Sequence, residues 1–229
     1  LNDIVIVGSG GSLINSNLGS KIDSFENVAR FGGSEVHLQK YKTDVGEKTT
    51  HLFYNTSKQG CKMLARYAEE NPDFYSNLKL YICFQKTKTP AFKNLWPVTK
   101  RILNKHDIEY ETHWIPAHIR LPKRGADGIS FPAELIKFNS GGRYNNKGIS
   151  RHITTGLSAI TKFLHKYDNI YLCGFDTLVQ GPSRNYRRFY DEKPTNRLVA
   201  KCHSMRKEVQ VIHYLADKYK KIHILESEG

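Results

Sequence analysis

Cysteine is scarce in this sequence, acidic residues are outnumbered, and long apolar runs are missing. Four cysteines (Cys61, Cys83, Cys173 and Cys202) in 229 residues are too few for a disulfide scaffold, and no two form a CxxC pair. That spacing argues against a zinc or dithiol redox site and leaves buried free thiols. No apolar stretch approaches the roughly 20 residues of a membrane-spanning helix. There is no internal repeat and no low-complexity tract. The ten histidines include His106, His113 and His118, but no carboxylates or cysteines stand near them at ligand spacing, so no metal site is expected. The chain opens on Leu1-Asn2-Asp3 with neither an initiating Met nor a signal peptide. It reads as trimmed, and a missing anchor or targeting segment therefore carries no weight.

At 39% hydrophobic and 11% aromatic residues, the chain can bury the core of one ordinary domain. The 35 Lys+Arg against 22 Asp+Glu leave a formal net charge of +13. Such an excess suits an anionic partner: nucleic acid, an acidic glycan, a phosphorylated small molecule or an anionic membrane surface. Charge alone does not choose among them.

Ile4-Val5-Ile6-Val7 is a continuous β-branched run closed by Gly8-Ser9-Gly10-Gly11-Ser12, the pattern of a strand buried on both faces that ends in a tight turn. Further strands are predicted at 51–54, 78–83, 169–173 and 221–225, and helices at 59–70, 97–106, 156–167 and 204–219. In the last helix Val209, Ile212, Leu215, Ala216 and Tyr219 form one apolar stripe. This alternation predicts an α/β domain with a mostly parallel sheet covered on both faces, binding its ligand at the carboxyl ends of the strands. Residues 108–152 and 176–203 fit neither element and read as long functional loops.

The turn after the first strand does not complete a dinucleotide fingerprint, because Leu13 stands where the third glycine belongs. No acid suits a ribose either: Asp23 comes early and Glu26 sits in a loop-like run. Two readings remain for the turn, a set of amides for another kind of nucleotide or a tight strand-to-helix connection.

The first strand and turn continue through Leu18-Gly19-Ser20-Lys21-Ile22-Asp23, Val28-Ala29-Arg30-Phe31 and Thr43-Asp44-Val45-Gly46-Glu47-Lys48-Thr49-Thr50. This series resembles the large sialylmotif of the sialyltransferases of glycosyltransferase family 29. Ile153-Thr154-Thr155-Gly156 with Ile170-Tyr171-Leu172-Cys173-Gly174-Phe175 resembles the small sialylmotif. Arg188-Phe189-Tyr190-Asp191 resembles the third motif, and His203 with Glu208 keeps the His-x-x-x-x-Glu spacing of the very small motif. The bacterial sialyltransferases of family 42 share the general pattern.

The resemblance implies one Rossmann-like catalytic domain over residues 1–229, a GT-A-like variant, with acceptor or lid insertions at about 84–150 and 176–203. It implies an inverting, metal-independent transferase without a cofactor. The enzyme would move a sialic acid, or a related ulosonic acid such as Kdo, from a CMP-sugar donor to a glycan hydroxyl. His203 is then the general base; a helix N-terminus with Arg206 and Lys207 nearby keeps an imidazole neutral. Glu208 lies about 140° further round that helix and serves the chemistry or the structure. Amides at Ser9 and Gly10 would receive the nucleotide, and those of Thr154, Thr155 and Gly156 the sugar carboxylate. Asn55, Gly174 and Phe175 are further donor contacts. Tyr186, Arg188 and Tyr190 would stabilise the leaving phosphate. Asn55-Thr56-Ser57 also fits a glycosylation sequon, a use that a ligand contact would forbid.

Some positions depart from the family pattern. Gly32 stands where the Arg-Phe element usually continues with Asn, and Ser34, Glu35 and His37 are the polar residues able to substitute. Ser9 stands where Asn is common, and Arg188 where His is common. Ile4 and Tyr167 occupy the positions of the paired cysteines found in most animal members, which weakens the Golgi lumen implied by the family and favours a reducing compartment such as the cytoplasm. Two other readings stand beside this one. The first is a noncatalytic module that binds nucleic acid or acidic glycan through the basic surface and aromatics such as Tyr144 and Tyr186. The second is the same fold with another nucleotide-sugar. Trp96, Trp114 and Ser140-Gly141-Gly142-Arg143 are candidates for the acceptor side. Between Arg184 and Lys207, eight basic residues face two acidic ones, placing six of the thirteen excess charges beside the third motif and His203.

Overall fold

The computed structural model describes residues 2–85, 90–115, 154–176, 188–191 and 205–226. His203, Tyr186, Cys202, Tyr144, the Ser140–Arg143 stretch and most of both proposed insertions lie outside them.

Seven strands form one parallel sheet: β1 (Ile4–Val7), β2 (Asn27–Phe31), β3 (His51–Asn55), β4 (Lys79–Gln85), β5 (Tyr110–Ile115), β6 (Ile170–Cys173) and β7 (Ile222–Ile224). Their spatial order is β5-β4-β3-β2-β1-β6-β7. The chain thus builds outward from β1 to β5 and then returns to the other side of β1. The order reverses between β1 and β6, and the crevice at their carboxyl ends is where doubly wound sheets hold ligands.

Helices cover both faces: α1 (Gly19–Asp23), α2 (Lys42–Val45), α3 (Lys58–Glu70), α4 (Pro72–Ser76), α5 (Pro90–Lys105), α6 (Thr155–Phe163) and α7 (Met205–Tyr219). Alternation along the central strands divides the core. Ile4, Ile6, Phe53 and Tyr81 pack with Leu157, Ile160 and Phe163 of α6 and Ile212 and Leu215 of α7. On the opposite face, Leu52, Leu80 and Ile82 pack with Leu64 of α3 and Leu103 of α5. β1 is buried along its whole length, as a β-branched run with helices on both sides requires.

Two strands escaped the pattern reading. In β2 the apolar run is broken by Arg30, yet that guanidinium is fully buried. It donates from Nε to Lys48 O at 3.0 Å and from Nη2 to Val45 O at 2.6 Å, fastening the 45–48 turn to the sheet. Burial pushes its pKa down to about 10. β5 lies at the sheet's edge, where Glu111 and Thr112 are exposed, so its composition is mixed. Helix α5 begins at Pro90 and runs through Pro97, the residue that the sequence marks as a start. Trp96 packs edge-on against Phe84 at 5.0 Å and Tyr110 at 5.6 Å between ring centroids.

Candidate active site

β1 and β6 approach each other closely where they end. The Gly8 N–H donates to Cys173 O at 2.8 Å and the Gly10 N–H to Gly174 O at 2.9 Å. A Cβ on Gly8 would lie 2.3 Å from Gly174 O, so the approach depends on glycine there. The first turn is therefore tied to β6, and the amide of Gly10 is not free in the way the sequence reading pictured. Asp176, three residues beyond β6, accepts from the N–H and the hydroxyl of Ser12. Its carboxylate lies directly over Gly10, within 1.8 Å of where a Cβ on that glycine would be. No local pattern in the sequence marks Asp176, whose partner is 164 residues away.

The third-motif segment covers the same turn. Gly10 and Arg188 form an antiparallel bridge, and the Phe189 N–H donates to Ser9 O at 2.9 Å. Arg188 makes a forked pair with Asp191, Nε to Oδ2 at 2.8 Å and Nη2 to Oδ1 at 2.9 Å, and its Nη1 donates to the Tyr190 hydroxyl at 3.2 Å. The positive charge that Arg188 brings is thus matched by Asp191. Tyr190 joins this network through its hydroxyl oxygen. Its ring stacks on His37 at 4.8 Å and 11°. Burial lowers the His37 pKa against the opposing charge of Glu35.

The two halves of the small motif also meet. Thr154 caps α6, its hydroxyl accepting from the Leu157 N–H at 3.1 Å. A Cβ on Gly156 would lie 2.9 Å from the Phe175 ring, and Phe175 in turn meets Phe31 of β2 edge-on at 6.3 Å. The N–H groups of Thr155 and Gly156 belong to the first turn of a helix, which leaves them without acceptors inside it. Glu208 reaches across from α7 and accepts from the Thr154 N–H at 2.8 Å and from its hydroxyl. It is buried, and that burial pushes its carboxyl up to about 7 against the lowering effect of the Thr154 hydrogen bonds. Beside the crossing, a cleft of about 280 Å³ is lined by Ser12, Ser16, Phe175, Leu225 and Glu226 among others.

Asn55 stands at the carboxyl end of β3, separated from β1 by β2. Its Oδ1 accepts from the Ser57 N–H at 3.1 Å, and Ser57 caps α3. In this arrangement Asn55 shapes the turn into that helix. At the end of β2, a Cβ on Gly32 would lie 2.4 Å from the Tyr54 ring, which fills the space a side chain at position 32 would need. The Tyr54 hydroxyl donates to Glu35 Oε1, as does that of Tyr75 at 2.8 Å. Ile4 and Tyr167 are buried in one cluster, with the Tyr167 hydroxyl 2.9 Å from His51 Nε2.

Residues 2–220 match the model of glycosyltransferase family 29 (sialyltransferase). The chain belongs to that family. This family-29 chain is 26% identical over 211 residues to the Homo sapiens CMP-N-acetylneuraminate-beta-galactosamide-alpha-2,3-sialyltransferase 4, covering 91% of itself and 60% of that relative. It is 29% identical over 184 residues to the Homo sapiens CMP-N-acetylneuraminate-beta-1,4-galactoside alpha-2,3-sialyltransferase, covering 75% of itself and 43% of that relative. The family-29 chain thus spans 60% or less of the length of these two relatives. Its fold is similar to a crystal structure of a mammalian sialyltransferase in complex with Gal-beta-1-3GalNAc-ortho-nitrophenol, with a TM-score of 0.53, 20% identity, and coverage of 99% of this chain and 70% of that one.

Proposed function

We propose that this family-29 chain is an inverting, metal-independent glycosyltransferase. It transfers a sialic acid, or a related ulosonic acid, from its CMP donor to a hydroxyl of a glycan. The observation that carries the reading is the convergence of separate motif segments on the β1–β6 crossing. The first turn, Arg188–Asp191, Phe175 and the start of α6 all meet there, although they are spread over most of the sequence. The names of the relatives, which state CMP-N-acetylneuraminate and galactosides, support the donor and acceptor classes.

In this mechanism His203 takes the proton of the acceptor hydroxyl. The oxygen attacks the anomeric carbon as the bond to phosphate breaks, and CMP leaves with the electron pair. The N–H groups of Thr155 and Gly156 receive the sugar carboxylate, and Arg188 with Tyr190 stabilises the leaving phosphate. His203 stands two residues ahead of α7, and Glu208 of that helix is bonded to Thr154. Glu208 therefore acts as a positioning residue between the base and the sugar site. The test is CMP-sialic acid turnover with galactoside acceptors in the presence of EDTA. His203→Ala should abolish transfer and leave CMP affinity within about twofold; full transfer by that variant would overturn the assignment.

A further inference from the structure

Glu35 carries a carboxylate whose partners are all neutral. Oε2 accepts from the Gly33 N–H at 2.6 Å, and Oε1 accepts from the Tyr75 hydroxyl at 2.8 Å and from the Tyr54 hydroxyl. Among the described residues no Lys, Arg or His forms an ion pair with it. Both tyrosines are buried, whereas Glu35 itself is half-exposed. Burial first, and the charge of Glu35 second, push both phenols far up, so they remain protonated donors. Two fixed phenols and a backbone amide thus hold an anion beyond the carboxyl end of β2.

The other polar groups of this loop are committed. Position 32 has no room for a side chain beside the Tyr54 ring. The Ser34 hydroxyl donates to Phe31 O at 2.8 Å, and His37 lies flat on Tyr190. Glu35 keeps acceptor capacity, since a carboxylate offers about four acceptor positions and three are filled. The loop is joined to the β1 turn through His37, Tyr190 and Arg188, the last of which bridges to Gly10.

Its place in the fold gives the ligand chemistry. Glu35 lies four residues past the carboxyl end of β2, the strand next to β1. In doubly wound nucleotide-binding folds an acid in this region takes ribose hydroxyls, because neutral O–H donors match carboxylate oxygens. Phosphate and a sugar carboxylate are repelled by it. We propose that Glu35 binds the ribose of the donor nucleotide, its carboxylate accepting a hydrogen bond from the 2′- or 3′-hydroxyl. This rests on the nucleotide-sugar reading above and assigns the ribose a contact on the loop where Gly32 removes the usual one.

The test is calorimetric binding of CMP, 2′-deoxy-CMP, 3′-deoxy-CMP and 2′,3′-dideoxy-CMP to the whole chain and to Glu35→Gln. The wild-type chain should prefer CMP to the dideoxy nucleotide by about tenfold to a hundredfold, the range for a hydrogen bond to a charged acceptor. In Glu35→Gln that preference should shrink to within about threefold. If Glu35→Gln does not fold, Glu35→Asp, which withdraws the carboxylate by one methylene, should shrink it likewise. An undiminished preference in the variant, or none in the wild type, overturns the proposal. UMP, GMP and AMP with their deoxy forms separate the two readings. Hydroxyl-dependent binding of one of these in place of CMP keeps Glu35 and sinks the CMP donor, and no binding of any ribonucleotide sinks both.

Discussion

Glu208 of α7 and Thr154 at the cap of α6 are joined by two hydrogen bonds, the Thr154 N–H and hydroxyl both donating to the one carboxylate. The threonine hydroxyl also accepts from Leu157, so one side chain caps its own helix and anchors another. The residues are 54 apart in sequence and belong to two separate motifs.

The link has a pH signature. The Glu208 carboxyl is pushed up to about 7 from an ordinary 4.5, chiefly by burial. The native state therefore holds a proton that the unfolded chain has released, and the stability this gives is present below pH 4.5 and lost as pH rises to 7. A shift of this size is worth on the order of 3 kcal/mol. Glu208→Gln should remove that loss, so the difference in Tm, variant minus wild type, becomes more positive between pH 4.5 and 7 and is flat above it. A difference that does not change with pH would show that Glu208 titrates normally.

Gly32 and Tyr54 form the second coupled pair. A side chain at position 32 must displace the Tyr54 ring, 2.4 Å from the added Cβ, and that ring is held by the bond from its hydroxyl to Glu35. Gly32→Asn should cost about 1–3 kcal/mol in urea unfolding. Tyr54→Ala removes the obstacle at its own cost, and the double variant should be more stable than the sum of the single effects by about 1–2 kcal/mol. Additive effects would mean that the ring yields freely.

Where local pattern carries the signal, the fold was legible. The Ile4–Val7 run, the end of β6 at Cys173 and the apolar stripe of α7 all lie where the sequence places them. β2 and β5 were missed for opposite reasons: a buried Arg interrupts one, and an exposed edge makes the other polar. At the site, the ordered motifs brought Ser9, Gly10, Arg188 and Tyr190 into view, and they do converge. Asp176 over the first turn was not legible, and of the Tyr54–Glu35–Tyr75 cluster only Glu35 stood out, as a polar residue of the Gly32 loop. Their meaning arises from contacts between distant strands and loops, and neither has a periodicity or spacing of its own.

The described cysteines Cys61, Cys83 and Cys173 are buried and free, with burial pushing the thiols of Cys83 and Cys173 up to about 12. Such thiols are poor nucleophiles. Ellman's reagent should leave these three unmodified in the native chain and label them once urea unfolds it, as read by peptide mass analysis. Rapid native labelling of Cys83 or Cys173 would contradict the packing.

His51 gives the pH dependence of opposite sign. It is buried between Thr50 Oγ1, 2.8 Å from Nδ1, and the Tyr167 hydroxyl, 2.9 Å from Nε2, and burial pushes its pKa down to about 3. The native state refuses a proton that the unfolded chain binds near pH 6.5, so the stability of the neutral ring is full above pH 6.5 and is lost as pH falls toward 3. Tyr167 stands where the family resemblance puts a disulfide cysteine, and its hydrogen bond to His51 ties the end of the α6 region to β3 without a covalent link. Tyr167→Phe leaves a buried ring nitrogen unpaired and should cost about 1–3 kcal/mol at pH 7.5. His51→Asn should flatten the acid limb of the stability profile between pH 6.5 and 4. Persistence of the full acid limb in that variant would assign it to other groups.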